Sequence, residues 1–190
     1  MFWLYIIIAY LLGSISPSII IGRIKGIDIR KQGSGNAGTT NTLRVIGKKA
    51  AVVVLLVDVA KGALSVFLGS LAGPVCSYIC ACAAMAGHIW PVFYGFKGGK
   101  GVAAALGCVL MINWKMALLL LAVCIVVTAL SKRMSAGSIT AAAGLPIAAA
   151  FMERPFWPYA LAMAAAVIYK HKGNIKRLIK GEEPKLSFKK

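Results

Sequence analysis

Carboxylates are scarce in this chain: Asp28, Asp58, Glu153, Glu182 and Glu183 stand against 22 lysines and arginines in 190 residues. Histidine is scarcer still, limited to His88 and His171. Cys76, Cys80, Cys82, Cys108 and Cys124 all fall in apolar segments, and none has the spacing of a zinc site. Cys80 and Cys82 would point to nearly opposite sides of a helix and cannot share a metal, so the five read as buried thiols. No metal or cofactor constellation is present. No basic region precedes the first apolar run, whose first positive charge, Arg23, comes after it. That excludes a signal peptide and predicts a retained span with the N-terminus outside. No internal repeat and no linker divides the chain, so a single membrane-embedded domain over 1–190, one compact bundle, is expected.

What is abundant is apolar. The composition is 59% hydrophobic and the mean hydropathy +0.80, with long runs almost free of charge. The fold class expected is therefore an all-α integral membrane protein. A net charge of +17 in a soluble domain would suggest nucleic acid. Here the basic residues cluster in alternate loops, which excludes that partner.

Seven transmembrane helices are expected, over 2–22, 50–71, 74–88, 101–113, 115–131, 136–152 and 155–170. With the N-terminus outside, Arg23, Lys25, Arg30, Lys31, Arg44, Lys48 and Lys49 lie in the first inside loop. Lys97 and Lys100 lie in the second, Lys132 and Arg133 in the third. Lys170, Lys172, Lys176, Arg177, Lys180, Lys185, Lys189 and Lys190 form a cytoplasmic C-terminal tail. Only Lys115 and Arg154 fall outside, the asymmetry the positive-inside rule describes. A five-span arrangement with 74–88 and 101–113 re-entrant would keep the same inside loops. Alanine-rich stretches, Ala103–Ala105, 141–144, 148–150 and Ala160–Ala166, suit close helix packing in lipid.

Four polar constellations fall on the cytoplasmic side. The first, Gly33 to Arg44, offers Ser34, Asn36, Thr40, Asn41 and Arg44 within a dozen residues, a set suited to a phosphate or polyol phosphate. A helix from about Ala37 would place Asn41 and Arg44 on one face. The second is an Asp58/Lys61 pair inside a span, either self-neutralising or supporting a site. In the third, Gly87 to Val102, His88, Lys97 and Lys100 are interleaved with Gly98, Gly99 and Gly101. Glycines let backbone N–H groups approach an oxyanion, and lysines supply countercharge. It is no nucleotide P-loop: only three residues separate Gly95 from Gly99-Lys100, and Gly101 stands where Ser or Thr is required. The fourth constellation, in the tail, pairs His171 with Asn174 three residues on.

These blocks resemble the bacterial acyl-phosphate:glycerol-3-phosphate acyltransferases of the PlsY type. The resemblance rests on Gly33 to Arg44, on Gly87-His88 through Val102, on His171 through Asn174 to Gly181 and Glu183-Pro184, and on Asp58 to Gly62. It implies a seven-helix fold in the bacterial cytoplasmic (inner) membrane with the active site on the cytoplasmic face. It also implies acyl transfer from acyl phosphate to the sn-1 hydroxyl of glycerol 3-phosphate. By motif match, Ser34, Arg44, Lys100, His171 and Asn174 would line the glycerol-phosphate site, and the Gly98–Gly101 loop would cradle phosphate. Asp58, Lys61 and Glu183 would support it. The partners implied are the two substrates, membrane lipids and a soluble acyl-phosphate-forming enzyme. The pattern of another acyltransferase class, His with Asp five residues on, is absent, because Phe93 stands at that distance from His88. The hydroxyl proton is therefore expected to pass to a substrate phosphate oxygen or to His171. From the residues alone, a small-anion transporter is the competing class, opposed by the missing repeat and by polar groups gathered at one face.

Overall fold

The computed structural model describes residues 1–186, so Lys189 and Lys190 of the expected tail lie outside the described residues. The described residues are helical, with no strand among them. Their contacts form two compact units, Met1–Ile112 and the described residues from Asn113 onward.

The first unit opens with α1 (Phe2–Ser14) and α2 (Pro17–Ile24). The expected span over 2–22 is thus built of two helices, interrupted at Ile15 and Ser16. Pro17 has no N–H, and its ring would crowd the carbonyl four residues back, so Ile15 and Ser16 turn extended and α2 restarts with proline at its N-terminus. α3 (Thr39–Val45) follows a single 3-10 turn at Ile29–Lys31; it begins two residues later than the expected Ala37 start. α4 (Lys48–Ser70), α5 (Pro74–Ile89) and α6 (Val102–Ile112) complete the unit. Glycines set the packing. A Cβ on Gly13 of α1 would overlap the Ala84 backbone of α5, and one on Gly107 of α6 would overlap the Val59 carbonyl of α4. Such backbone-to-backbone approach suits helices in lipid, where association relies on close packing and not on water exclusion.

The second unit contains α7 (Trp114–Ser131), α8 (Met134–Met152), α9 (Trp157–Lys170) and α10 (Lys172–Ile179). Asn113 caps α7 by accepting from the Met116 N–H at 3.1 Å, and Lys132 ends it in a left-handed conformation with φ +56°. Gly137 of α8 sits against the Cys124 carbonyl and Thr128 of α7. The tail returns to the α7–α8 corner, where the Leu186 N–H donates to the Lys132 carbonyl at 2.8 Å.

Among the described residues, five segments are long and apolar enough to cross a membrane: Phe2–Ile24, Lys48–Ser70, Pro74–Tyr94, Trp114–Ser131 and Met134–Met152. The 11 residues of α6 rise only about 16 Å, short of a hydrocarbon core of roughly 30 Å. Val52, Val53 and Leu56 on α4 and Leu118, Leu119, Ile125 and Val126 on α7 are exposed, as lipid-facing side chains must be. Cys76, Cys80 and Cys108 are buried as expected; Cys82 and Cys124 are only partly so.

Candidate functional site

One buried amide fixes the loop after α2. Asn41, only 1% exposed, accepts from the Ser34 N–H at 2.8 Å and donates to the carbonyls of Ile29 and Gln32, each at 3.0 Å. Three backbone groups occupy the amide, so Asn41, expected as a phosphate ligand, is the clamp of this loop. Gly33 closes the clamp with φ +59°, where a Cβ would overlap Asn41 Oδ1. Ser34 is exposed on this pinned backbone, and Arg44 lies half-buried one turn beyond Asn41 on α3. Asn36 and Thr40 are half-buried. α3 is held to α2 by a buried hydroxyl pair, Ser18 Oγ and Thr42 Oγ1, 2.9 Å apart.

The glycine-rich loop works differently from the sequence expectation. The Gly98 N–H donates to the Ile89 carbonyl at 3.2 Å and the Gly99 N–H to the His88 carbonyl at 3.0 Å. Both donors therefore close the C-terminus of α5 instead of pointing at an oxyanion. From Ala105 onward the N–H groups are used inside α6, beginning with Ala105 to Gly101 at 2.8 Å. The N–H groups of the first turn have no partner within the helix, and Lys100 stands just before it. An anion in this loop would thus meet the α6 N-terminus and the Lys100 ammonium. Lys97 is exposed.

The two loops sit against each other. Gly99 packs between the His88 ring and the Ala37 carbonyl, leaving no room for a Cβ. Arg30 Nη1 donates to the Tyr94 carbonyl at 3.2 Å, and Arg23 lies 5.4 Å from the Tyr94 ring centroid. Behind them, His88 Nδ1 is 3.3 Å from Asp58 Oδ1, and Lys61 Nζ is 2.8 Å from the same oxygen. Lys61 also donates to the Ile15 carbonyl at 2.6 Å, the group exposed by the α1–α2 break. Asp58 and Lys61 are 1% and 5% exposed, so these charges are paired with each other and tied to two further elements.

In the second unit, His171 and Asn174 are both buried at the junction of α9 and α10. His171 Nδ1 is 2.8 Å from the Val167 carbonyl. A carbonyl only accepts, so Nδ1 carries a proton, and in the neutral ring Nε2 is the basic nitrogen. Asn174 Nδ2 donates to Glu183 Oε1 at 2.6 Å; Ser135 Oγ donates to the same oxygen at 2.8 Å, and Arg177 Nε to Oε2 at 2.7 Å. Burial acts to raise the Glu183 carboxyl, but these hydrogen bonds outweigh it and hold its pKa below the ordinary glutamate value. Arg133 Nε secures the same segment through the Glu183 carbonyl at 3.0 Å.

The structure thus brings Ser34, Asn41 and Arg44 together with Lys100, His88, Asp58 and Lys61 in one unit, and His171, Asn174 and Glu183 in the other. Sequence reasoning missed Ser18, Ala37, Arg133 and Ser135. Each acts through a contact distant in the chain and leaves no local motif.

A family model described as "Glycerol-3-phosphate acyltransferase" matches residues 3–181. A glycerol-3-phosphate acyltransferase of Clostridioides difficile (strain 630) is 44% identical over 193 residues, covering 97% of this chain and 95% of that protein. One of Prochlorococcus marinus (strain MIT 9211) is 43% identical over 188 residues, covering 94% and 91%. Among solved structures, PlsY (YgiH), an integral membrane glycerol 3-phosphate acyltransferase, in its glycerol 3-phosphate form has a TM-score of 0.94 at 36% identity, covering 98% of this chain and 96% of that one. Its lysophosphatidic acid form has a TM-score of 0.91 at 35% identity, with the same coverage.

Proposed function

We propose, for a chain that belongs to the glycerol-3-phosphate acyltransferase family, that it transfers a fatty acyl group from acyl phosphate to the sn-1 hydroxyl of glycerol 3-phosphate. The products are 1-acylglycerol 3-phosphate and inorganic phosphate, in the first acylation of phospholipid synthesis. The observation that supports this reading best is the contact of Gly99 with Ala37, which sets the Ser34–Arg44 segment beside Lys100 and the N-terminus of α6. The two loops that meet there, far apart in sequence, carry a hydroxyl, a guanidinium, an ammonium and a helix N-terminus, the groups an anionic substrate needs.

An acyl phosphate is a mixed anhydride with a good leaving group, so positioning and charge neutralisation supply much of the catalysis. The sn-1 oxygen attacks the acyl carbonyl carbon, the bond from that carbon to the bridging oxygen breaks, and phosphate leaves with its electron pair. The hydroxyl proton passes to a phosphate oxygen or to His171 Nε2, the nitrogen left basic when Nδ1 donates to Val167. Arg44 and Lys100 neutralise the glycerol phosphate, Ser34 and Asn174 orient it, and Asn36, Thr40 and Lys97 line its approach. Glu183 holds Asn174 by the amide hydrogen bond.

In the cell the reading entails a bacterial inner-membrane protein with seven spans, N-terminus outside and C-terminus in the cytoplasm, its acyl donor made by a soluble enzyme. The test combines purified protein, palmitoyl phosphate and radiolabelled glycerol 3-phosphate. Labelled lysophosphatidate is expected without nucleotide, coenzyme A or added metal. Absence of that product from folded protein would refute the proposal.

A further inference from the structure

Buried charges inside a membrane span are costly, and a pair that only cancelled itself could be replaced by two apolar residues at little loss. Asp58 and Lys61 do more than face each other. The Asp58 carboxylate reaches two cations or potential cations on different elements, Lys61 at 2.8 Å and His88 Nδ1 at 3.3 Å. Beyond His88 lies Gly99, whose backbone packs on the imidazole so closely that a Cβ would overlap Nε2. Beyond Gly99 lies the Ala37 carbonyl of the first loop.

The contacts close into a ring. Lys61 holds the Ile15 carbonyl at the α1–α2 break at 2.6 Å, and α2 carries Ser18, whose hydroxyl is 2.9 Å from Thr42 on α3. α3 bears Arg44, and the loop ahead of it returns through Ala37 to Gly99. Asp58 is the one carboxylate in that ring. Without it, His88 loses the carboxylate that faces its Nδ1 at 3.3 Å, and the surface on which Gly99 rests loses its anchor on α4.

We propose that Asp58 is a positioning residue for anion binding: by the 3.3 Å contact of its carboxylate with His88 Nδ1 it holds the imidazole that carries Gly99, and so sets Lys100 and the α6 N-terminus against Arg44. Lys61 is its charge partner and its tie to the α1–α2 break. This rests on the acyltransferase reading, because it assumes that the loops so positioned bind glycerol 3-phosphate.

The test separates an acceptor from a charge. Two doubly neutral variants, Asp58→Leu with Lys61→Met and Asp58→Asn with Lys61→Met, differ in whether residue 58 presents an oxygen to His88 Nδ1. Binding of glycerol 3-phosphate is measured by calorimetry in detergent, with acyl transfer and thermal unfolding measured on the same samples. The Leu variant is expected to bind about tenfold more weakly than the Asn variant, a coupling ordinary for residues in contact. Their thermal midpoints should differ little. Equal affinities would overturn the proposal and leave the pair a mutual neutraliser. Should the Leu variant fail to fold, His88→Leu against His88→Gln in the native background gives the same comparison from the other side, since glutamine can donate to Asp58 and leucine cannot. Wild-type protein that binds glycerol 3-phosphate without acylating it would overturn the acyltransferase reading alone. Wild-type protein that does not bind it would overturn both.

Discussion

Two residues carry the sharpest kinetic expectation. Arg44 and Lys100 are the cations assigned to the glycerol phosphate, and a hydrogen bond to a charged group is worth about 1.5–3 kcal/mol. Arg44→Ala and Lys100→Ala should each raise the KM for glycerol 3-phosphate by roughly 10- to 150-fold on that basis, with a smaller effect on the KM for palmitoyl phosphate. Steady-state kinetics on folded variants checks this. Glu183 carries a pH expectation whose sign follows from its lowered pKa. A carboxyl that ionises more readily in the folded state contributes stability above its unfolded pKa and loses it as pH falls through the folded value. The gap in thermal midpoint between wild type and Glu183→Gln should therefore be full at neutral pH and shrink below the ordinary glutamate value. A gap that stays constant down through the acid range would contradict the assigned hydrogen bonds. At this scale the sequence was a partial guide. Asn41 has the composition of a ligand and the burial of a clamp, and composition cannot separate the two roles. The Ser135–Glu183 bond spans 48 residues and no pattern announces it.

At the scale of elements, glycines decide which helices can meet. Gly107 of α6 approaches the Val59 carbonyl of α4 with no space for a side chain. Gly107→Ala should cost about 1–3 kcal/mol, as overpacking of a tight contact does, and lower the thermal midpoint while sparing glycerol 3-phosphate affinity in the protein that remains folded. Gly99→Ala should do the reverse: it collides with His88 and Ala37, so affinity for glycerol 3-phosphate should fall more than stability does. Paired calorimetric and thermal measurements on the two variants test that contrast. The helices over 50–71, 74–88, 115–131 and 136–152 were legible because long apolar runs with polar breaks have few other solutions. The α1–α2 break was not, although Pro17 was in view, because an apolar run tolerates a proline whenever another group serves the freed carbonyl. Here that group is Lys61, 46 residues away. In the glycine-rich loop the Gly98 and Gly99 N–H groups, expected to face an anion, bond the Ile89 and His88 carbonyls instead. Glycines that cradle an anion and glycines that close a helix end are alike in sequence, and only the carbonyls of His88 and Ile89 tell them apart.

For the whole molecule, the family was legible in the order of its motifs, and the membrane class in hydropathy alone. The number of crossings is a separate matter, since α6 is too short for a straight passage and α9 has 14 residues. With the proposed topology, a C-terminal tag should be open to protease in inverted membrane vesicles and protected in intact spheroplasts; the opposite pattern would reverse the orientation. The acyl donor is what sets the proposed reaction apart. Purified protein given glycerol 3-phosphate with equal amounts of palmitoyl phosphate and palmitoyl-coenzyme A, the two chains carrying different isotope labels, yields one mass spectrum of lysophosphatidate. The label of the acyl phosphate alone is predicted in the product. Label from the thioester, or no lysophosphatidate from folded protein, would contradict it.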